Sequence, residues 1–192
     1  MIGIRAVALA CVLLAAACTT VPFESGVPVA PSTPFDFSGR VLVSFDGRAF
    51  SSALRWQHVS GRDEIWLLSP VGQALAHIVD SGDGAVLTAA DQRQYRAASV
   101  ESLTRRALGW ELPVANLKYW VRGDIAPGSA PGAVVRGDDQ RIARLEQGGW
   151  RVALTYYAAQ EYDGLPRRLE LAGASHEIRL VIDTWRSVAS PP

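Results

Sequence analysis

The chain has 192 residues, 48% of them apolar and 20% charged, with nineteen basic residues against nineteen acidic. That composition supports one ordinary domain with its own core and excludes a disordered chain. With no net field and no basic cluster interleaved with aromatics, nucleic acid is not an expected partner.

At the N-terminus, Arg5 precedes the apolar run from Ala6 to Ala17, and Ala15, Ala16 and Ala17 stand directly before Cys18. This is a signal-peptide layout, assigned to residues 1–17. The run is too short for the helix of about 20 apolar residues that crosses a bilayer. Its end resembles a bacterial lipobox, which implies that Cys18 is lipidated and that the chain is cut just before it. Ala15 stands where that pattern usually has leucine. Thr19 follows the cysteine in place of an aspartate that would favour inner-membrane retention. The resemblance therefore implies a lipid anchor in the outer membrane, facing the periplasm. After cleavage Cys18 is the only cysteine left, and acylation occupies its sulfur. A disulfide, a thiol nucleophile and a cysteine zinc site are then excluded.

Residues 18–34 are rich in Pro, Val, Ser, Thr and Gly without periodicity, the composition of a flexible tether. The domain is placed at residues 35–188, with a loose tail at 189–192. Val41, Val43 and Phe45 fall on one strand face, and Asp46-Gly47 supplies the hairpin turn. The next strand sets Phe50, Leu54 and Trp56 on one face. After Ser60-Gly61, the run Ile65 to Leu68 is apolar on both faces and reads as a strand covered on both sides. Ser69-Pro70-Val71-Gly72 reverses the chain, and Leu75, Ile78 and Val79 belong to the returning strand. Short strands at Ala85 to Thr88 and Gln94 to Ala97 follow.

Ser99 to Gly123 is the one convincing helical stretch. Ser99 caps a first helix with Val100, Leu103, Ala107 and Leu108 at helical spacing, and Gly109 ends it. Pro113 opens a second, with Val114, Leu117, Trp120 and Val121 on one side and Gly123 as its stop. A Pro- and Gly-rich loop runs from Asp124 to about Ala133. Strands resume at Arg141 to Gln147, then Trp150 to Tyr157 across Gly148-Gly149, then Arg167 to Leu171, then a last strand with Ile178, Leu180, Ile182 and Trp185. About ten strands joined by short turns predict an antiparallel meander that curls without closing, with the two helices as the available cover.

No phosphate loop, Gly-x-Ser-x-Gly elbow or His-Glu-x-x-His motif occurs. His58, His77 and His176 are far apart in sequence. His77 reads as structural or exposed, and His176-Glu177 as a solvated strand edge. Asp138-Asp139, and Glu161 with Asp163, fall in turn-rich segments where carboxylates cap and solvate. The loop around Asp80 and Asp83 lacks the ligands of a calcium site. Neither an enzyme nor a cofactor nor a metal site is expected. Six tryptophans, Trp56, Trp66, Trp110, Trp120, Trp150 and Trp185, stand out instead. They read either as core or as the walls of a cavity for something long and apolar.

Several stretches together resemble the LolB family of outer-membrane lipoprotein receptors. They are Phe37 with Gly39-Arg40, Ala53 with Trp56-Gln57, Pro70-Val71-Gly72, Leu108-Gly109, and Leu112-Pro113-Val114 with Leu117, Trp120 and Gly123. Gln147-Gly149-Trp150, Leu165-Pro166, and Ile178-Arg179-Leu180 with Asp183 and Trp185 complete the set. The resemblance implies a mainly β domain with a helical insert: a curved antiparallel sheet forming an incomplete barrel, with the helices as a lid over a hydrophobic cavity. It implies a cavity and lid lined by Leu54, Trp56, Leu67, Ile78, Leu103, Leu117, Trp120, Leu145, Trp150, Val152, Leu171 and Leu180. It also implies a membrane-targeting loop at Pro70, Val71 and Gly72, with Val71 where the family commonly has leucine. The expected partners are the periplasmic carrier LolA, the acyl chains of lipoprotein cargo and the inner leaflet of the outer membrane, met by a monomer. The alternative is a lipid-anchored structural or assembly lipoprotein without acyl-chain transfer.

Overall fold

A computed structural model describes residues 32–188. The signal-peptide assignment, Cys18, the tail and nearly all of the tether lie outside those residues. In chain order come β1 (Phe35–Phe45), β2 (Arg48–Val59), β3 (Arg62–Leu68), β4 (Ala74–Ser81), β5 (Gly84–Ala89) and β6 (Gln94–Ala97). Then follow α1 (Val100–Leu108), α2 (Val114–Trp120), β7 (Val134–Arg136), β8 (Ile142–Gln147), β9 (Trp150–Tyr156), a single 3-10 turn at Tyr162–Gly164, β10 (Pro166–Ala172) and β11 (His176–Arg186).

All eleven strands form one antiparallel sheet in the order β6-β5-β4-β3-β2-β1-β11-β10-β9-β8-β7. Each half is a meander, and the halves join where β1 pairs with β11, Val41 opposite Leu180. The free edges β6 and β7 do not pair, so the barrel is incomplete, and the chain between those two edges carries both helices. The expectation of about ten strands falls one short because β7 has only three residues directly after the loop.

The hairpin turns follow their chemistry. Asp46-Gly47, Ser60-Gly61 and Gly148-Gly149 all have positive φ at both residues, the backbone that matches the twist of the flanking strands. Alternation then sets the faces: β9 buries Trp150, Val152 and Leu154 and exposes Arg151. At Gly39 a side chain has no room, since a Cβ would stand 2.1 Å from the Val181 carbonyl oxygen, beside a β-bulge in the β1–β11 pairing. Gly39 is thus what lets the two halves of the sheet meet.

One strand reading is corrected. β3 is buried on one face only, through Asp63, Ile65 and Leu67, while Trp66 and Leu68 are half-buried on the other. Trp66 looks doubly covered in sequence because it makes its own cover outside the core. It stacks on His77 of β4 with centroids 4.9 Å apart and lies under the Arg55 guanidinium at 5.2 Å. His77 therefore points away from the core, 3.4 Å from a Glu64 carboxylate oxygen.

The helical stretch follows its caps. The Ser99 side chain accepts from the Ser102 N–H, and Gly109, at φ 82°, ends α1 with its N–H on the Arg105 carbonyl. Pro113 opens α2, and Gly123, at φ 81°, follows its end. Val100 and Leu103 of α1 and Val114, Leu117 and Trp120 of α2 face the concave side of the sheet and join its core.

Candidate functional site: an apolar cavity under a helical lid

Sheet and helices enclose a cavity whose ten lining residues are all apolar. Val41, Leu54, Trp56, Ile65 and Leu67 come from β1 to β3, Ile178 and Leu180 from β11, Leu117 from α2, and Trp110 and Leu112 from the segment joining the helices. Its free space is about 10 Å³, at the limit for a single water. As it stands the cavity has no room for an acyl chain.

Of the residues expected to line it, Leu54, Trp56, Leu67, Leu117 and Leu180 do so. Ile78, Leu103, Trp120, Leu145, Trp150, Val152 and Leu171 do not; they are packed in the surrounding core, each at most 8% exposed. Val41, Ile65, Trp110, Leu112 and Ile178 also line it and were not in the expected set. For Trp110 and Leu112 the available signal was two large apolar residues, separated only by Glu111, straight after the stop at Gly109.

The two helices of the lid are tied to each other. The Thr104 hydroxyl accepts the Leu112 N–H at 3.0 Å, a Glu101 carboxylate oxygen accepts the Ala115 N–H at 2.9 Å, and Arg105 pairs with Glu111. Polar contacts tie them and the segment between them to the sheet. Trp120 donates its indole N–H to Gln147 of β8 at 3.0 Å. His176 of β11 meets the Glu111 carbonyl through Nε2 at 2.8 Å and abuts Trp150 edge to face. His176 is thus a lid contact, which corrects its reading as a solvated edge: the carbonyl it meets lies 65 residues away in sequence. Arg106 reaches the Arg96 carbonyl of β6 at 3.2 Å.

Beside the cavity wall lies a buried polar set. Asp63 Oδ1 accepts the Trp56 indole N–H at 2.7 Å and lies 2.8 Å from His58 Nδ1. His58 and Asp63 are 1% and 2% exposed. The pair satisfies buried polar atoms and fixes the Trp56 ring against the cavity. Asp80 stands opposite Asp63 in register. Burial, with the neighbouring Asp63 carboxylate adding to it, pushes the Asp80 carboxyl above its ordinary value.

The turn between β3 and β4 presents the opposite of a buried residue. Gly72 donates to the Ser69 carbonyl at 2.9 Å, and Ser69 donates to the Gln73 carbonyl at 2.8 Å. The Ser69 hydroxyl also accepts the Gln73 N–H at 3.1 Å. This closed loop leaves Val71 80% exposed, the most exposed of the large apolar residues among those described. Val71 is not a turn residue tucked onto the sheet.

The chain matches the model of the family described as outer membrane lipoprotein LolB over residues 33–185. It is 41% identical over 172 residues to outer-membrane lipoprotein LolB of Thiobacillus denitrificans, covering 88% of this chain and 90% of that one. Against the protein of the same name from Chromobacterium violaceum it is 32% identical over 185 residues, covering 95% and 98%. Among solved structures, a LolA superfamily protein from Nitrosomonas europaea superposes with a TM-score of 0.52 at 9% identity, over 84% of this chain and 89% of that one. That last likeness is one of fold.

Proposed function

We propose, since this chain belongs to the LolB family of outer-membrane lipoproteins, that it receives lipoproteins by taking their acyl chains into the cavity under α1 and α2 and releases them into the outer membrane. The observation that carries this reading is a wholly apolar cavity beneath two helices that are inserted between the unpaired edges of the sheet.

Magnitudes exclude free passage through water. Burial stabilises an acyl chain by about 0.8 kcal/mol per CH₂, so a lipoprotein's chains do not cross water unaccompanied. A periplasmic carrier, LolA in this reading, hands them over, and they run downhill from carrier cavity to this cavity to bilayer. Recognition is by acyl chains, not cargo sequence. Lid opening is a shift between shut and open states, driven by the ligand's preference for the open one. Cys18, acylated after removal of residues 1–17, holds the domain at the outer membrane through the tether of residues 18–34. The Pro70-Val71-Gly72 loop touches the leaflet during release.

The test is transfer in a purified system: carrier loaded with a radiolabelled lipoprotein, this protein, and phospholipid vesicles. Transfer of label first to this protein and then to vesicles is the expected course. A protein that never removes lipoprotein from the carrier would be a structural lipoprotein instead.

A further inference from the structure

Among the described residues six large apolar side chains are exposed: Val71, Leu75, Tyr95, Ile125, Val135 and Tyr162. Singly, such residues are ordinary. Three of them, Val71, Leu75 and Tyr95, lie on the consecutive hairpins β3–β4 and β5–β6, at one margin of the sheet. The hairpins are joined there: the Leu75 carbonyl accepts the Ala90 N–H at 3.1 Å, which seats the β5–β6 turn against the start of β4. That turn is closed by Ala89 donating to the Arg93 carbonyl at 2.9 Å, and Tyr95 follows two residues later on the free edge strand.

The make-up of this surface suits a bilayer boundary. The two hairpins carry two exposed aliphatic side chains and a tyrosine, whose ring favours an apolar setting while its hydroxyl needs a wet one. The Arg93 side chain is 75% exposed, with an apolar stem long enough to leave its charge among headgroups. We propose that the membrane-contact surface is this pair of hairpins and not the Val71 loop alone. Val71 and Leu75 enter the hydrocarbon margin of the leaflet, and Tyr95 and Arg93 sit at headgroup depth. This rests on the reading of the Val71 loop as the membrane contact and enlarges it. The surface also adjoins the lid, because the strand that carries Tyr95 accepts the Arg106 side chain of α1, so bilayer contact is made beside the element that must move for release.

Environment-sensitive labels on single cysteines test it in the mature acylated chain incorporated into vesicles of phosphatidylethanolamine and phosphatidylglycerol. The variants are Val71→Cys, Leu75→Cys, Tyr95→Cys and, between β9 and β10, Tyr162→Cys. Quenching by aqueous iodide is expected to fall on incorporation at positions 71, 75 and 95 and to stay unchanged at 162. Protection at 71 with either 75 or 95 as accessible as 162 overturns the enlarged surface and leaves the loop reading standing. No protection at 71 overturns both. Equal protection at all four positions overturns the surface, since contact would then have no preferred side.

Discussion

Trp120 of α2 donates its indole N–H to the Gln147 side-chain oxygen at 3.0 Å, across 27 residues and inside the protein, where both side chains are buried. The same oxygen accepts the Ala126 N–H at 3.0 Å, while the Gln147 amide donates to the Ala126 and Ser129 carbonyls at 2.6 and 2.7 Å. One glutamine at the end of β8 therefore holds both the end of α2 and the loop that leaves it. It fixes that end of the helical stretch to the sheet.

Replacing Gln147 with Leu keeps the volume and leaves those buried donors and acceptors unpaired, at a cost of about 1–3 kcal/mol. The loss falls on the closed lid and spares the strands. Amide hydrogen exchange is expected to quicken from Leu117 to Ala126 while β1, β2 and β11 stay as protected as before. Uniform quickening across the sheet would show that Gln147 supports the whole domain and not the lid.

Val71→Glu separates folding from delivery. A residue 80% exposed at a turn contributes little to the core, so the unfolding free energy should stay within about 0.5 kcal/mol of the parent. A carboxylate at that tip opposes contact with an anionic leaflet. Uptake of lipoprotein from the carrier is expected to persist, and the second step, to vesicles, to fail. Normal delivery by this variant would remove the loop from the mechanism.

Those two positions differ in how far the sequence disclosed them. The reversal at Val71 was legible from Pro70 and Gly72, while its exposure was expected from the family resemblance alone. The helices were legible through Ser99 and Gly109, and the strand faces through alternation, since caps and pleats are local physics. Gln147 as a clamp, His176 as a lid contact and the His58–Asp63 pair were not. Gln147 and His176 meet partners that the fold brings from far along the chain, and His58 and Asp63 are buried by packing above their hairpin. The cavity was legible as apolar excess, but its wall was not, because an apolar residue in a strand reads the same whether it lines a space or fills one. Leu171 and Leu180 illustrate this: both are inner-face leucines at 1% exposure, and only Leu180 borders the cavity.

Gly39 tests the join between the two halves of the sheet. Its missing side chain lets the β11 backbone approach, and next to it Arg40 makes a two-point ion pair with Asp183 at 2.9 and 3.1 Å. Gly39→Ala forces β1 and β11 apart by overpacking, which costs about 1–3 kcal/mol or more. Arg40→Ala removes an exposed, solvent-screened pair and should cost much less. Urea unfolding of both variants checks the ranking, and a milder effect at Gly39 than at Arg40 would contradict the backbone approach described here.

Tyr156 sets an alkaline limit on stability. Its hydroxyl donates to the Ile142 carbonyl at 2.7 Å, the Arg141 guanidinium lies 4.4 Å from its ring centre, and burial pushes its pKa up to about 12. In the unfolded chain the phenol ionises near its ordinary value of about 10. Between those values the unfolded state holds fewer protons than the folded one, so stability must fall as pH rises. The contribution is whole below about pH 10 and is lost progressively toward about pH 12. Tyr156→Phe removes this loss, but at neutral pH it gives up the hydrogen bond, a cost of about 1 kcal/mol. Unfolding free energies measured at about pH 8 and about pH 11 should therefore converge: the parent falls more steeply than the variant. Parallel slopes would mean that the Tyr156 hydroxyl already ionises in the folded protein at its ordinary value.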